Sequence, residues 1–456
     1  MIFKKKIKKQ KTLRSIFVAI ELKPLGSEYR VWRWKILIST YIAYIGYYMT
    51  RKVFTICKTK IAEDLNWELG DTAYIWASFL AAYAIGQFLN SFLGRKWGPR
   101  VILLGGLGIS IVCNTIFGLS NSFPNFILFM FINGLAQASG WPGCVGGISR
   151  WLRTHERGTI MGIWTTNHIV GNIVYKTIGG YILASMGWRW AFFGMTFLTL
   201  FVWALILLWQ KDRPEDVGLP PIIDKEEDYG QAIKASQEDH ISVSEYLRVA
   251  FNPLIFIMGV AYFSVKFLRY ALDSWLPSFL NIQGLPVDQA SYYSMIFDIT
   301  GVVGTIVAGY VLDRWFRGNW AGVCFVCSIG TILGYIAVMY AGVNPILIAF
   351  CFGIVGFMLY GPDSLLTGAA AVAVAGEANA VAITGVINGI GSIGPVVQEL
   401  VIGKFMKTEN LQIGIDRTNM LGLIMSIALA VSTAFLTWYL YRVHEKNNKP
   451  VDKANP

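Results

Sequence analysis

Apolar runs of about twenty residues recur along the whole chain, separated by short polar breaks. They fall near 36–58, 72–94, 101–120, 124–148, 158–185 and 188–209, then 254–280, 287–312, 320–341, 343–369, 380–404 and 418–441. A helix of about twenty residues crosses the hydrocarbon of a bilayer, and helix satisfies its own backbone donors and acceptors there. The pattern therefore predicts twelve transmembrane helices. Between the sixth and seventh runs lies a polar stretch from Lys211 to His240, rich in Asp and Glu. It divides the chain into a basic tail (1–35), a six-helix unit (36–210), a central loop (211–250), a second six-helix unit (251–441) and a short tail (442–456).

Composition narrows the class. The 456 residues are 54% hydrophobic, 14% aromatic and 15% charged, with a mean hydropathy of +0.49, too apolar for an ordinary soluble domain. The formal charge of +11 does not signal nucleic acid, because the basic residues sit between apolar blocks rather than on an exposed stripe interleaved with aromatics. Membrane topology accounts for it. With the N-terminus cytoplasmic, tails, central segment and cytoplasmic loops hold 28 of the 39 Lys and Arg, and the outer loops six: Lys58, Lys60, Arg189, Lys404, Lys407 and Arg417. That asymmetry puts both termini in the cytoplasm by the positive-inside rule. The apolar stretch after the N-terminal lysines is too short for a signal core, so an uncleaved tail is expected. All six cysteines lie in or beside apolar runs and read as helix-packing thiols; Cys324 and Cys327 lack the further ligands a zinc site needs. No metal or cofactor is implied.

An internal repeat is visible in spacing. Arg51 precedes Arg269 by 218 residues, and the turn Gly94 to Gly98 precedes Asp313 to Arg317 by 219. Two agreeing offsets suggest duplicated six-helix halves, an architecture in which a ligand site lies at the repeat interface and the halves rock about it. Each arginine lies fifteen residues into its span, about 22 Å along the helix. Intramembrane cations are costly and face a cavity, a partner or a pathway. Two guanidinium groups at one depth can converge on one anion, and their planar donor pairs suit phosphate.

Lys52 and Lys266 add positive charge beside the arginines. Asp273, Asp298 and Asp363 are possible internal partners, Asp273 being placed to orient Arg269 across one helical turn. His168 in span five can bond a phosphate oxygen and sense protonation, whereas Lys176 either shares that face or snorkels. Tyr44 and Tyr48 share a helical face leading to Arg51 and offer ring and hydroxyl to a sugar. Asn167, Asp363 and Asn388 are candidates for the sugar end. The glycine-rich stretches 134–147 and 385–394 read as close helix contacts.

These residues make the chain resemble the organophosphate:phosphate antiporters of the major facilitator superfamily. The resemblance runs almost end to end. It rests on Tyr47-Tyr48-Met49-Thr50-Arg51-Lys52, Gly140-Trp141-Pro142, Glu156-Arg157-Gly158, Asp212-Arg213-Pro214, Gly218-Leu219-Pro220-Pro221, Leu268-Arg269-Tyr270 and Tyr360-Gly361-Pro362. It implies an all-α membrane protein with two pseudo-symmetric six-helix bundles, exchanging inorganic phosphate for a phosphorylated organic molecule by a rocker-switch. Arg51 and Arg269 would take the place of the family's paired arginines, His168 that of its span-five histidine, and Tyr44, Tyr48 and Tyr360 those of its cavity tyrosines. Two departures bear on substrate. Gln87 stands where glycerol-phosphate members carry a lysine, and Lys266 where they carry a tyrosine. Segments such as Met161-Gly162-Ile163-Trp164 and Val170-Gly171-Asn172-Ile173 look closer to the hexose-phosphate branch, so the expected substrate is a hexose phosphate, with glucose 6-phosphate preferred.

Other readings stay open from sequence. A glycerol-3-phosphate antiporter would share the site, and so would a membrane sensor of external sugar phosphate that signals to a kinase. A lipid phosphatase needs an acid-base partner that His168 lacks in the membrane. An anion channel would fit the charges but not the duplicated halves. The implied partners are a sugar phosphate, inorganic phosphate and the lipid bilayer; a monomer in a bacterial inner membrane is expected.

Overall fold

A computed structural model describes residues 26–152, 160–161, 163–220, 252–342, 344–370, 373–374 and 386–447. The expected N-terminal tail to residue 25, Glu156-Arg157-Gly158 and most of the central loop lie outside these residues. The helices are α1 (Ser27–Leu65), α2 (Thr72–Trp97), α3 (Pro99–Leu119), α4 (Phe123–Gln137), α5 (Gly140–Ser149), α6 (Asn167–Val174), α7 (Gly180–Met186) and α8 (Trp188–Trp209). After the central loop come α9 (Pro253–Ile282), α10 (Val287–Arg314), α11 (Trp320–Tyr340), α12 (Pro345–Thr367), α13 (Ile393–Phe405) and α14 (Leu411–Asn447). No strand occurs among the described residues.

Local chemistry sets several ends. Asn252 and Asn344 each sit just before a proline at the first helical position and accept from the next free amides, Leu254 N at 3.0 Å and Ile346 N at 3.1 Å. Proline costs nothing there because its missing N–H would be unpaired anyway. At Gly187, φ is +87°, a conformation glycine adopts freely, and the chain reverses between α7 and α8.

Among the described residues, eight helices are long and apolar enough to cross a membrane by length and composition: α3, α8, α9, α10, α11, α12, the segment Val386–Phe405 and α14. Of the other four expected spans, span two is the continuous helix α2, and the remaining three are polar or interrupted. Span one, within α1, carries Arg51, Lys52 and Lys58. Span four is two helices, broken between Gln137 and Gly140, and span five passes through a π-helical turn at Tyr175–Gly179. Apolar side chains form one core from Ile36 to Ile206 and another from Ile255 to Leu436. A third, smaller cluster joins Ala62, Leu69 and Ala73 to Trp275, Ile402 and Met406.

That third cluster marks where the two sets of helices meet. A Cβ on Gly403 of α13 would lie 2.3 Å from Ala73 Cβ of α2, so only glycine permits this approach. Lys58 of α1 pairs with Glu399 of α13, Lys176 of the π turn with Asp298 of α10 at 2.7 Å, and Lys407 with Asp71 at 2.6 Å. Lys58–Glu399 and Lys407–Asp71 fall toward the ends of the elements remote from residues 26 and 447, whereas Lys176–Asp298 lies deeper, near the middle of α10. The protein is therefore closed on the face away from its chain ends. Lys58, assigned to an outer loop from the pattern, is instead fully buried inside α1.

Candidate functional site: a cationic cavity between the two sets of helices

A cavity of about 620 Å³ lies between the two cores and narrows into an inner extension of about 70 Å³. The larger volume falls within the usual range for small-molecule sites, roughly 300–1,000 Å³. Arg51, Arg269, Lys266, Tyr48, Tyr83, Tyr270, Tyr360 and Gln87 line both parts. Tyr44, His168, Asp363 and Asn388 line the wider part, Lys52 and Asp273 the inner one.

Arg51 is oriented from behind. Gln137 at the end of α4 accepts from its Nε at 3.2 Å, and the same amide donates to Thr50 Oγ1 at 2.8 Å and Ser110 Oγ at 3.1 Å. With its NH₂ group committed to two hydroxyls, Gln137 can only turn its oxygen to the guanidinium. The rings of Tyr83 and Tyr48 flank Arg51, their centroids 4.7 and 5.2 Å from its Cζ, and cation–π attraction holds a guanidinium in such a slot. Its Nη2 is buried without a hydrogen-bond partner. A buried charged donor without a partner calls for an explanation, and an acceptor entering the cavity that Arg51 lines would supply one.

Arg269 lies 4.4 Å from the Tyr360 ring centroid and is ion-paired with Asp363 of α12. Asp273, expected to orient Arg269, does not: it pairs with Lys52 across the two sets of helices. The reason is reach, since Asp363 arrives from a neighbouring helix directly at the guanidinium. Lys266 donates to Asn388 Oδ1 at 2.9 Å and to Ser392 Oγ at 3.1 Å, both neutral. His168 lines the cavity half-buried, with Nδ1 against the carbonyl oxygen of Thr165. That contact leaves Nε2 as the nitrogen available to a ligand.

Tyr44 and Tyr48 lie side by side, ring centroids 5.5 Å apart, and Tyr44 also meets the edge of Trp141 at 5.6 Å. This makes an aromatic wall beside Arg51. Tyr360 presents its ring to Arg269 while its hydroxyl donates to Asp298 at 3.1 Å. Asn167 is fully buried, neither of its amide atoms has a partner, and it is not among the residues lining the cavity.

Sequence reasoning left several participants without a role. Lys176 neither shares the cavity lining with His168 nor snorkels; it is buried and reaches Asp298 from the π turn. Asn172 donates to the same carboxylate at 3.0 Å. Around Glu399 gather Lys58, Ser274, Trp275 Nε1 at 3.0 Å and Gln398 Nε2 at 3.0 Å. Asp298, expected as a possible partner of an arginine, serves Lys176 instead, and Glu399 carried the signal of an acid inside an apolar run without being singled out.

A cavity that holds two guanidinium groups, two ammonium groups and a rim of hydroxyls can bind a tetrahedral oxyanion bearing a polar organic group. Comparison with known proteins agrees in kind. The family model described as Major Facilitator Superfamily matches residues 40–398. A glycerol-3-phosphate transporter of Bacillus subtilis is 29% identical over 433 residues, covering 91% of this chain and 94% of the relative. A probable hexose phosphate transport protein of Chlamydia pneumoniae is 28% identical over 75% of this chain and 79% of its own. Among solved structures, a bacterial homologue of the human lysosomal transporter Spinster, inward-facing and unoccupied, superposes with a TM-score of 0.71 at 16% identity, covering 89% of this chain and 96% of that one.

Proposed function

Because this chain belongs to the Major Facilitator Superfamily, a family of multi-pass integral membrane proteins, we propose that it is a secondary antiporter exchanging a hexose phosphate, most readily glucose 6-phosphate, for inorganic phosphate across a bacterial inner membrane. The observation that carries this reading is the convergence of Arg51 and Arg269, from repeat-related helices α1 and α9, on one cavity. The unmatched Arg51 Nη2 supplies the first donor to phosphate. Arg269 supplies the second once the anion competes with Asp363, and His168 Nε2 is within the same lining. The Tyr44–Tyr48 wall with Asn388 and Asp363 gives a sugar ring an apolar face and polar edges.

With the termini cytoplasmic, as the basic residues suggest, the cavity opens inward and the face joined by Lys58–Glu399 and Lys407–Asp71 is the outer one. Alternating access then consists of breaking these contacts while the inner ends close around the anion. Both six-helix units, 36–210 and 251–441, move as halves in this scheme, and Asn167, fully buried and outside the cavity lining, does not touch the sugar.

The test is exchange in proteoliposomes preloaded with phosphate or with buffer, using labelled phosphate and labelled glucose 6-phosphate. Uptake of both anions, dependent on internal phosphate and lost in Arg51→Lys and Arg269→Lys, is expected, because an ammonium cannot form the paired bonds of a guanidinium. Phosphate exchange without the sugar phosphate would discard the substrate, and binding of glucose 6-phosphate without any flux would replace transport by sensing.

A further inference from the structure

The charges that line the cavity do not cancel. Arg51, Lys52, Lys266 and Arg269 contribute four positive charges, and Asp273 and Asp363 two negative ones. Both acids are spoken for, Asp273 by Lys52 and Asp363 by Arg269. Among the described residues, Arg51 and Lys266 have no carboxylate within ion-pair distance: the first rests on Gln137, the second on Asn388 and Ser392. Two cations backed only by neutral acceptors leave the cavity lining with a balance of +2.

From this balance we infer that the site selects the doubly charged form of a phosphate ester, and that Lys266 is the residue that sets this preference. The inference rests on the exchange reading above. Arg51 and Arg269 recognise the shape of a tetrahedral anion, and any monoanion of that shape would satisfy Arg51 alone. The second negative charge matters only because of Lys266. Its ammonium is held at the cavity wall by two neutral oxygens and gains more from an anion than from either. Sharing the cavity lining with it are the charged groups Arg269 and Asp273 of its own helix, Asp363 of α12, and Arg51 and Lys52 of α1, together with His168 of α6. The two acids among them are committed, Asp363 to Arg269 and Asp273 to Lys52. At the separations a cavity of this size allows, a unit charge changes anion affinity on the order of thirtyfold at the effective dielectric of a protein interior.

A sulfate ester tests this without any change of pH, since glucose 6-sulfate has the shape of glucose 6-phosphate with one negative charge at every working pH. The measurement is competition of each ester against labelled phosphate exchange at pH 7.5, in the wild type, Lys266→Gln and Lys266→Arg. In the wild type the sulfate ester should be at least thirtyfold weaker than the phosphate ester. Lys266→Gln should bring the two to within about fivefold, mainly by weakening the phosphate ester, and Lys266→Arg should keep the gap. Equal competition in the wild type, or an unchanged gap in Lys266→Gln, would overturn the assignment. Should Lys266→Gln fail to insert, Lys266→Met, which also removes the charge, takes its place with the same expected narrowing of the gap, and an unchanged gap there overturns the assignment. Loss of phosphate exchange in the wild type would instead reject the antiport reading itself.

Discussion

Replacing Lys58 by methionine isolates the energetics of the closed face. Lys58 and Glu399 are each fully buried; the ammonium also donates to Ser274 Oγ at 2.7 Å and lies 3.9 Å from the centroid of the Trp275 ring. Removing one partner of a buried pair costs about 3–5 kcal/mol, because the remaining charge stays desolvated. Here Glu399 keeps three donors, Ser274, Trp275 and Gln398, each at 3.0 Å, so the lower figure applies. When the face opens, water reaches the carboxylate, and the penalty falls on the closed state alone. About 3 kcal/mol is a shift of roughly a hundredfold toward the open form. The assay is the distance between spin labels at Glu63→Cys and Glu409→Cys, both exposed and on opposite sides of this face, in a background without the six native cysteines. Lys58→Met should move the population to longer distances, and Lys58→Met with Glu399→Leu should restore the short one, since an apolar pair replaces a buried ion pair at little cost. A distribution unchanged by Lys58→Met would show that the pair does not hold the face shut.

Three further outcomes are expected. Gly403→Leu should prevent closure of the same face, because even a Cβ at this position would lie 2.3 Å from Ala73 Cβ; the same label pair should report long distances with or without ligand. Asp363→Asn should tighten phosphate binding several-fold in calorimetry by freeing Arg269 from a competing anion, and weaker binding would mean that Asp363 positions the arginine instead. Tyr47→Phe should lower the thermal stability of the solubilised protein by about 1–2 kcal/mol, because its hydroxyl donates to the Leu103 carbonyl at 2.9 Å and contacts Ser139 Oγ at 2.8 Å. An unchanged melting temperature would contradict that.

Spacing and charge went far toward the architecture. Twelve apolar runs, the duplicated offsets and the intramembrane arginines were all local or periodic signals, and Arg51, Arg269, Lys266 and Lys52 do share one cavity. The interruptions were hidden, because a π turn at Tyr175–Gly179 and the break after Gln137 leave hydrophobicity unchanged. Partner choice was hidden too. Asp273 stands one turn from Arg269, so helical periodicity favoured that pair, yet Lys52 is nearer in space through a contact 221 residues away in sequence. Lys58 was misplaced because a charge conventionally ends an apolar run. Only the opposing Glu399, 341 residues on, explains why this one does not.

The signs of the buried pairs carry one more step. Lys52, Lys58 and Lys176 all come from the first set of helices, and Asp273, Glu399 and Asp298 all come from the second. Opposite charges therefore face each other at these three buried contacts. Across the cavity the arrangement differs, since Arg51 from the first set faces Lys266 and Arg269 from the second, and only Arg269 has a carboxylate of its own. An empty cavity thus resists closing on the terminus-bearing side, because like charges would approach in a medium that screens them poorly. On the proposed reading, a phosphate anion inserted there reverses the sign of that interaction and draws the halves together, which releases the contacts on the other face. The unloaded protein lacks the anion that would permit this passage. Obligate exchange then follows from the distribution of charge between the halves, since each return requires a second anion to take the place of the first.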